Sequence, residues 1–243
     1  MIRYGLIGKP LSHSFSQRYF TEKFQREGLS DHRYDLFEID RAEDLRALIA
    51  ATPALHGLNV TIPYKQDVMP LLDAIDPLAA AVGAVNTIKV EGGRLTGFNT
   101  DVEGFRQTLL PLLTKKKPRA LVLGSGGASR AVAFALREQG IKFRVVSRSR
   151  ERGDMTYDLL EPIVVDVCTL IINTTPVGMH PDVQALPSLP YDAIGGHHVL
   201  IDLVYNPAET AFLQEGKKRG ALIANGLEML HAQAEASWRI WNG

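Results

Sequence analysis

The chain has 243 residues, 45% of them apolar and 22% charged, with 27 basic side chains balancing 27 acidic ones. That is enough for one large or two ordinary domains, and the composition is that of an ordinary soluble globular protein. The balanced charge excludes the basic field that binding to nucleic acid or an anionic membrane would need, and no apolar run reaches transmembrane length. In chain order, "IRYGLIG" predicts a first strand. Residues 16–28 place Tyr19, Phe20 and Phe24 on one helical face and stop at Gly28. "RYDLFEI" reads as a strand, "RAEDLRALIAA" as a helix that Pro53 ends, and "NVTIPYK" as a strand followed by a helix over about 64–75. "NTIKV" and "RLTGFN", separated by Glu91-Gly92-Gly93, predict a hairpin, and a helix follows over about 101–113.

Lys115-Lys116-Lys117 before Pro118 reads as a solvated break between two domains. Beyond it "ALVLG", a helix reaching Gly140, "FRVVS", "TLIINTT", "HVLIDLVY" and "ALIAN" continue the alternation. A last helix over 227–241 sets Leu227, Leu230, Ala234, Trp238 and Trp241 on one side. Such alternation predicts an α/β architecture with parallel sheets. The N-terminus lacks the basic region, apolar core and cleavage site of a secretory leader. The single cysteine, Cys168, sits in the apolar "VDVCTLII" and reads as a small buried hydrophobe. The seven histidines have no ligand spacing, and His197-His198 heads an apolar strand. A cytoplasmic protein without a metal is the expectation.

"NVTIPYK" (59–65) is unusual for a buried strand. Extended side chains alternate, so Val60 and Ile62 point one way and Asn59 and Thr61 the other. Pro63 cannot donate to a ladder and stops the strand, leaving Lys65 beside the polar face. Alone, this fits an edge strand whose polar face meets water.

"LVLGSGGAS" leaves an apolar strand and enters a helix through Gly124, Gly126 and Gly127. Glycines there permit a tight turn and let the backbone approach a pyrophosphate at the helix N-terminus. The third fingerprint position holds Ser129, a departure from G-x-G-x-x-G. An acidic residue at the end of the next strand would bind the ribose 2′-hydroxyl of NAD. Here "VVSRSRER" offers Ser147, Arg148, Ser149, Arg150 and Arg152 instead, and a guanidinium pairs with a 2′-phosphate. That favours NADP over NAD.

In "HSFS", Ser14 and Ser16 stand at the mouth of the first helix, where they could cap it or receive a carboxylate. "GAVNT" puts Asn86 at a strand start, and "GFNTDVEG" puts Asp101 at a helix start, where an N-cap is the ordinary explanation. Taken in order, "SHSFS", "NVTIPYK", "GAVNT", "GFNTDVEG", "GSGGA", "NTTPVGM", "DLVYNP" and "NGLEMLHAQA" closely resemble the shikimate dehydrogenase family over nearly the whole chain. The resemblance implies reversible NADP-dependent reduction of 3-dehydroshikimate to shikimate in aromatic amino-acid biosynthesis. It also implies two α/β domains with the site in a cleft between them. The substrate domain is expected over 1–101, rejoined by the last helix (227–243), and a Rossmann domain over 102–226.

By that resemblance Lys65 and Asp101 are the catalytic pair. Ser14, Ser16, Thr61, Asn86, Asp101, Tyr205 and Gln233 are implied substrate ligands. Gly124, Ser125, Gly126, Gly127, Ala128, Ser147, Arg148, Ser149, Arg152, Thr175, Leu203 and Gly226 are implied cofactor ligands. The chemistry is consistent: hydride transfer to a ketone leaves negative charge on oxygen, which an ammonium can stabilise and protonate.

Three positions depart from the family pattern. Gln17 replaces a common proline, Tyr19 a polar helix residue, and the segment between Ser147 and Asn173 is short. The last feature bears on the adenosine side of the pocket. Two rival readings are a quinate/shikimate dehydrogenase that accepts NAD, and a non-catalytic NADP-sensing module of the same fold. The arginines argue against the first and the Lys65–Asp101 pair against the second. No nucleic-acid or membrane partner is expected, and a monomer and a homodimer fit the sequence equally.

Overall fold

The computed structural model describes residues 1–11, 14–113 and 118–243; the Lys115–Lys117 run lies outside the described residues. Met1–Thr100 with Ala234–Gly243 form one compact unit, and Asp101–Gln233 form another.

In the first unit, β1 (Ile2–Gly8), α1 (Phe15–Arg26), β2 (His32–Glu38), α2 (Leu45–Ala51) and β3 (Leu55–Val60) come first. They are followed by β4 (Ala74–Ile75), α3 (Pro77–Val82), β5 (Thr87–Glu91) and β6 (Arg94–Phe98). The sheet order is β2-β1-β3-β5-β6-β4. β1 runs parallel to β2 and β3, whereas β5 runs antiparallel to both β3 and β6. The sheet is therefore mixed: β1, β2 and β3 are parallel as the alternation implied, and β5 and β6 form the expected hairpin. Gly92 and Gly93, at φ +58° and +83°, turn the chain back directly, and a connection that short forces an antiparallel return.

Two expectations need correction. β3 lies inside the sheet rather than at its edge, and it ends at Val60, before Pro63. Ile62, beyond that end, is exposed rather than buried. The helix expected over 64–75 does not form; a 3-10 turn at Met69–Leu71 and β4 take its place. Pro70 removes a donor within that turn. Asp73 is held by the Leu95 N–H and the Arg46 guanidinium, each at 2.7 Å.

Alternation along β1 builds a core on each side of the sheet. Ile7 joins Leu45, Leu58, Val60, Tyr64, Val68, Ile88 and Leu95. Tyr4 and Leu6 join Phe20, Phe24 and Tyr34 of the other side, together with Ala234 and Trp241. Trp241 comes so close that a Cβ on Gly57 would lie 2.2 Å from its Nε1, which donates to the Ile88 carbonyl at 3.0 Å.

The second unit contains α4 (Asp101–Leu109), β7 (Arg119–Leu123), α5 (Gly127–Glu138), β8 (Lys142–Ser147), β9 (Met155–Thr156) and α6 (Pro162–Val167). β10 (Leu170–Asn173), β11 (Val199–Asp202), α7 (Ala211–Lys218), β12 (Leu222–Ala224) and α8 (Leu227–Asn242) complete the chain, the last ten residues belonging to the first unit. The order β12-β11-β10-β7-β8-β9 is parallel throughout. This is a doubly wound sheet whose order reverses between β7 and β10, the place where such folds bind ligands at the strands' carboxyl ends.

The short stretch after Ser147 still supplies an edge strand, β9, and one six-residue helix, α6. Cys168 is buried. On α8 Leu227 is exposed and Met229 takes its expected inward place, because α4 approaches there: a Cβ on Gly104 would lie 2.6 Å from the Met229 carbonyl. Among the described residues, no helix is long and apolar enough to cross a membrane.

Candidate active site

In the first unit two of the expected ligands, Ser16 and Asn86, belong to one buried polar network. Ser14 caps α1, accepting from the Gln17 N–H at 3.3 Å. Ser16, in the first turn of α1 and buried, bonds the Tyr34 hydroxyl, whose pKa burial drives upward. Tyr34 donates to Asn59 Oδ1 at 2.7 Å. Asn59 Nδ2 in turn faces Ser237 Oγ at 2.9 Å, Thr87 Oγ1 at 3.3 Å and the Asn86 carbonyl at 3.4 Å. Asn86, just before β5, accepts from the Thr100 N–H at 2.7 Å and donates to Thr100 Oγ1 at 2.9 Å.

Thr61 and Lys65 follow on the exit from β3. The Thr61 N–H donates to the Ile7 carbonyl at 2.9 Å, and the Thr61 carbonyl accepts from the Tyr64 N–H at 3.0 Å. The Lys65 carbonyl accepts from the Val85 N–H at 2.7 Å, which fixes the lysine's backbone beside the Val85–Asn86 segment. Its side chain is half-buried. The sequence puts Asn59 beside Thr61 but gives no role to it, to Thr100 or to Ser237, which complete this network. For Asn59 a signal existed, an amide on the same strand face as Thr61; Thr100 and Ser237 carried none.

Tyr19, the departure noted on α1, donates to Glu235 and stacks on Phe15 at 5.5 Å. Lys23 joins Glu27 at 2.9 Å and Glu235 at 3.0 Å, and lies 5.5 Å from the Trp238 ring centre. Burial opposes ionisation of Glu235, but the Tyr19 and Lys23 bonds outweigh it and hold the carboxyl low. Tyr19 thus braces α1, whose first turn carries Ser14 and Ser16, against the C-terminal helix.

In the second unit Asp101 is buried and is the first residue of α4, one place inside the expected cap position. Gln233, on α8, packs near α4: a Cβ on Gly104 would lie 3.3 Å from Gln233 Cβ. Tyr205 is half-buried and follows β11.

The glycine turn has room for a phosphate. Gly124 has φ +107°, and a Cβ there would lie 2.8 Å from Thr174 Oγ1 and 2.9 Å from Thr175 Cγ2. A Cβ on Gly126 would meet nothing within 4 Å, and as N-cap of α5 Gly126 offers no side chain to the first-turn amides. Open space over helix amides at the positive end of the dipole fits a pyrophosphate. Ser129, in the departing position, is buried and donates to the Gly126 carbonyl at 2.7 Å. Ala128 and Gly127 form the helix's first turn.

Ser125 Oγ and Ser147 Oγ are 3.1 Å apart, linking this cradle to the arginine loop. Ser149 N–H also points to Ser147 Oγ at 3.4 Å, while the Ser149 hydroxyl donates to Glu151 and holds that carboxyl low. Arg148 and Arg152 are exposed, Arg148 near Tyr157. Neither forms an ion pair among the described residues, so both guanidiniums can take an anionic ligand. Across the sheet reversal stand Thr175 and Leu203. Leu203 is so close to Gly226 that a Cβ there would lie 2.2 Å from the Leu203 carbonyl.

Residues 6–88 match the family model described as the shikimate dehydrogenase substrate binding domain. A protein of Methanococcus maripaludis named shikimate dehydrogenase (NADP(+)) is 38% identical over 98% of this chain and 91% of its own length. The structure of shikimate 5-dehydrogenase from Thermus thermophilus in complex with NADP(H) and shikimate superposes with a TM-score of 0.88. It is 35% identical, covering 100% of this chain and 94% of that one. Quinate dehydrogenase from Corynebacterium glutamicum in complex with NAD matches with a TM-score of 0.88 at 29% identity, covering 100% and 94%.

Proposed function

Because the chain belongs to the shikimate dehydrogenase family, we propose that it catalyses the reversible, NADP-dependent reduction of 3-dehydroshikimate to shikimate. The observation that carries this reading is the full-length similarity to a Thermus thermophilus enzyme solved with both NADP(H) and shikimate. Arg148 and Arg152, which form no ion pair among the described residues, support NADP over NAD.

The residues would divide the work as follows. Gly124–Ala128 hold the pyrophosphate at the start of α5, and Ser147, Arg148, Ser149 and Arg152 hold the 2′-phosphate and adenosine. Thr175, Leu203 and Gly226 line the nicotinamide side. Bound NADPH supplies the hydride. Ser14 and Ser16 receive the substrate carboxylate, and Thr61, Asn86, Tyr205 and Gln233 bind the ring hydroxyls. A polyhydroxylated ring needs several such partners to present one face. Lys65 donates to the ketone oxygen, stabilises the negative charge that grows there, and passes its proton to it as the hydroxyl forms. Asp101 orients that ammonium and accepts a hydrogen bond from a ring hydroxyl.

Absorbance at 340 nm tests the reading with four mixtures: shikimate or quinate, each with NADP⁺ or NAD⁺. The proposal expects NADPH formation from shikimate to be fastest. Faster turnover of quinate with NAD⁺ would favour the quinate dehydrogenase alternative, and no turnover in any mixture would favour a sensing module.

A further inference from the structure

Asp202, the last residue of β11, has no part in the reaction as laid out above, and it is fully buried. A buried carboxylate is costly unless a cation or several donors compensate it. Its bonded partners are all neutral. Oδ1 accepts from Asn173 Nδ2 and from the Val204 N–H, each at 3.0 Å, and Oδ2 accepts from Thr210 Oγ1 at 2.6 Å.

Each donor belongs to a segment that carries expected ligands. Asn173 ends β10, and its Oδ1 accepts from the N–H of Thr175 at 3.0 Å and from its hydroxyl at 2.6 Å. Val204 stands between Leu203 and Tyr205, and its carbonyl accepts from the Gly226 N–H at 3.3 Å. Thr210 caps α7, taking the Leu213 N–H at 3.4 Å, and so closes the loop that begins at Tyr205. One carboxylate therefore ties together the segments of Thr175, Leu203, Tyr205 and Gly226. It does so at the carboxyl ends of β10 and β11, beside the sheet reversal where doubly wound folds bind ligands.

We infer that Asp202 is a positioning residue: its carboxylate fixes the mutual spacing of Thr175, Leu203 and Tyr205, so that nicotinamide and substrate meet a preformed wall. The inference rests on the dehydrogenase reading. The pyrophosphate cradle and arginine loop lie on β7–α5 and after β8, so most cofactor affinity is carried elsewhere. Loss of Asp202 should therefore slow turnover more than it weakens cofactor binding, because alignment errors of about 1 Å act chiefly on rate.

The test uses the full chain and the variants Asp202→Asn, Thr210→Val and Thr210→Ser. kcat and KM come from NADPH formation with shikimate at saturation, Kd from NADPH fluorescence, and folding from thermal melts. Asp202→Asn should lose about tenfold or more in kcat, with Kd for NADPH within about threefold and melting well above the assay temperature. Thr210→Val should lose about threefold or more, and Thr210→Ser, which keeps the donor, should stay within about twofold. If Asp202→Asn does not fold, the Thr210 pair decides. The inference is overturned if kcat of the folded variants stays within about twofold of wild type, or if Thr210→Ser falls as far as Thr210→Val. It is equally overturned if kcat and NADPH affinity fall by the same factor. A wild-type chain inactive with both acids and both cofactors would remove the dehydrogenase reading itself, and this inference with it.

Discussion

Replacing Asp202 by Asn keeps the shape of the side chain and removes its charge, so the two proteins should differ in how stability depends on pH. Burial raises the carboxyl from its ordinary 3.8 to about 6, against the opposing pull of Thr210, the Val204 N–H and Asn173. Between those values the folded chain holds a proton that the unfolded chain has released. The stabilisation from this group is thus fully present below about pH 4 and lost as pH rises through about 6. Integrating over that pair of values gives the wild type about 1.4 kcal/mol relative to Asp202→Asn on going from pH 8 to pH 5, and about 3 kcal/mol by the acid limit. The neighbouring Tyr191 phenol is held high by burial and does not titrate in this window. Urea melts of both proteins at pH 8 and pH 5 would measure the change. Far-UV circular dichroism is the suitable probe, because Trp238 and Trp241 belong to the other unit. A difference that stays flat, or moves against the wild type at pH 5, would mean that the three donors outweigh burial, and the reasoning would fail.

Arg148→Ala should weaken NADP⁺ far more than NAD⁺, by roughly the 1.5–3 kcal/mol of a hydrogen bond to a charged group; equal weakening in titrations of both would assign the guanidinium to adenine or loop structure. Asn59→Leu should cost about 1–3 kcal/mol in a tryptophan-detected urea melt, since Tyr34, Thr87 and Ser237 lose their shared partner. A loss under about 0.5 kcal/mol would show that the hydroxyls re-pair among themselves. NADPH should bind more weakly than is usual for the family, because β9 has two residues and α6 six where a longer wall is expected. A dissociation constant in the low micromolar range or below would count against that.

The Rossmann half was the more legible part of the sequence. Its strands are short apolar runs flanked by glycine, and Gly124, Gly126 and Gly127 mark the turn into α5 without help from distant residues. The first unit was harder because its outcome depends on tertiary partners. Tyr64, Val68 and Leu72 mimic helical spacing, yet Pro70 and the bonds of Asp73 to Leu95 and Arg46 turn that stretch into a 3-10 turn and β4. Asn59 looked like the polar face of an edge strand, whereas β5 pairs beside β3 and Ser237 of α8 bonds the amide, making it the centre of a network that reaches 178 residues along the chain. Asp101 and Asn86 were visible as motifs, but the Thr100 contacts that hold Asn86 were not. Asp202 shows the same limit: "DLVYNP" marks the loop, and only the packed strand ends reveal a carboxylate with three neutral donors.

Whether Lys65 exchanges the proton of the dehydrogenase reaction is decided by kcat for Lys65→Ala with shikimate and NADP⁺. A positioned acid–base group contributes about 10²–10⁴-fold. Lys65→Ala should lose that order in kcat and kcat/KM together, with KM for shikimate little changed, since the contact is made chiefly in the transition state. A raised KM with kcat unchanged would make Lys65 a substrate clamp and not the proton donor.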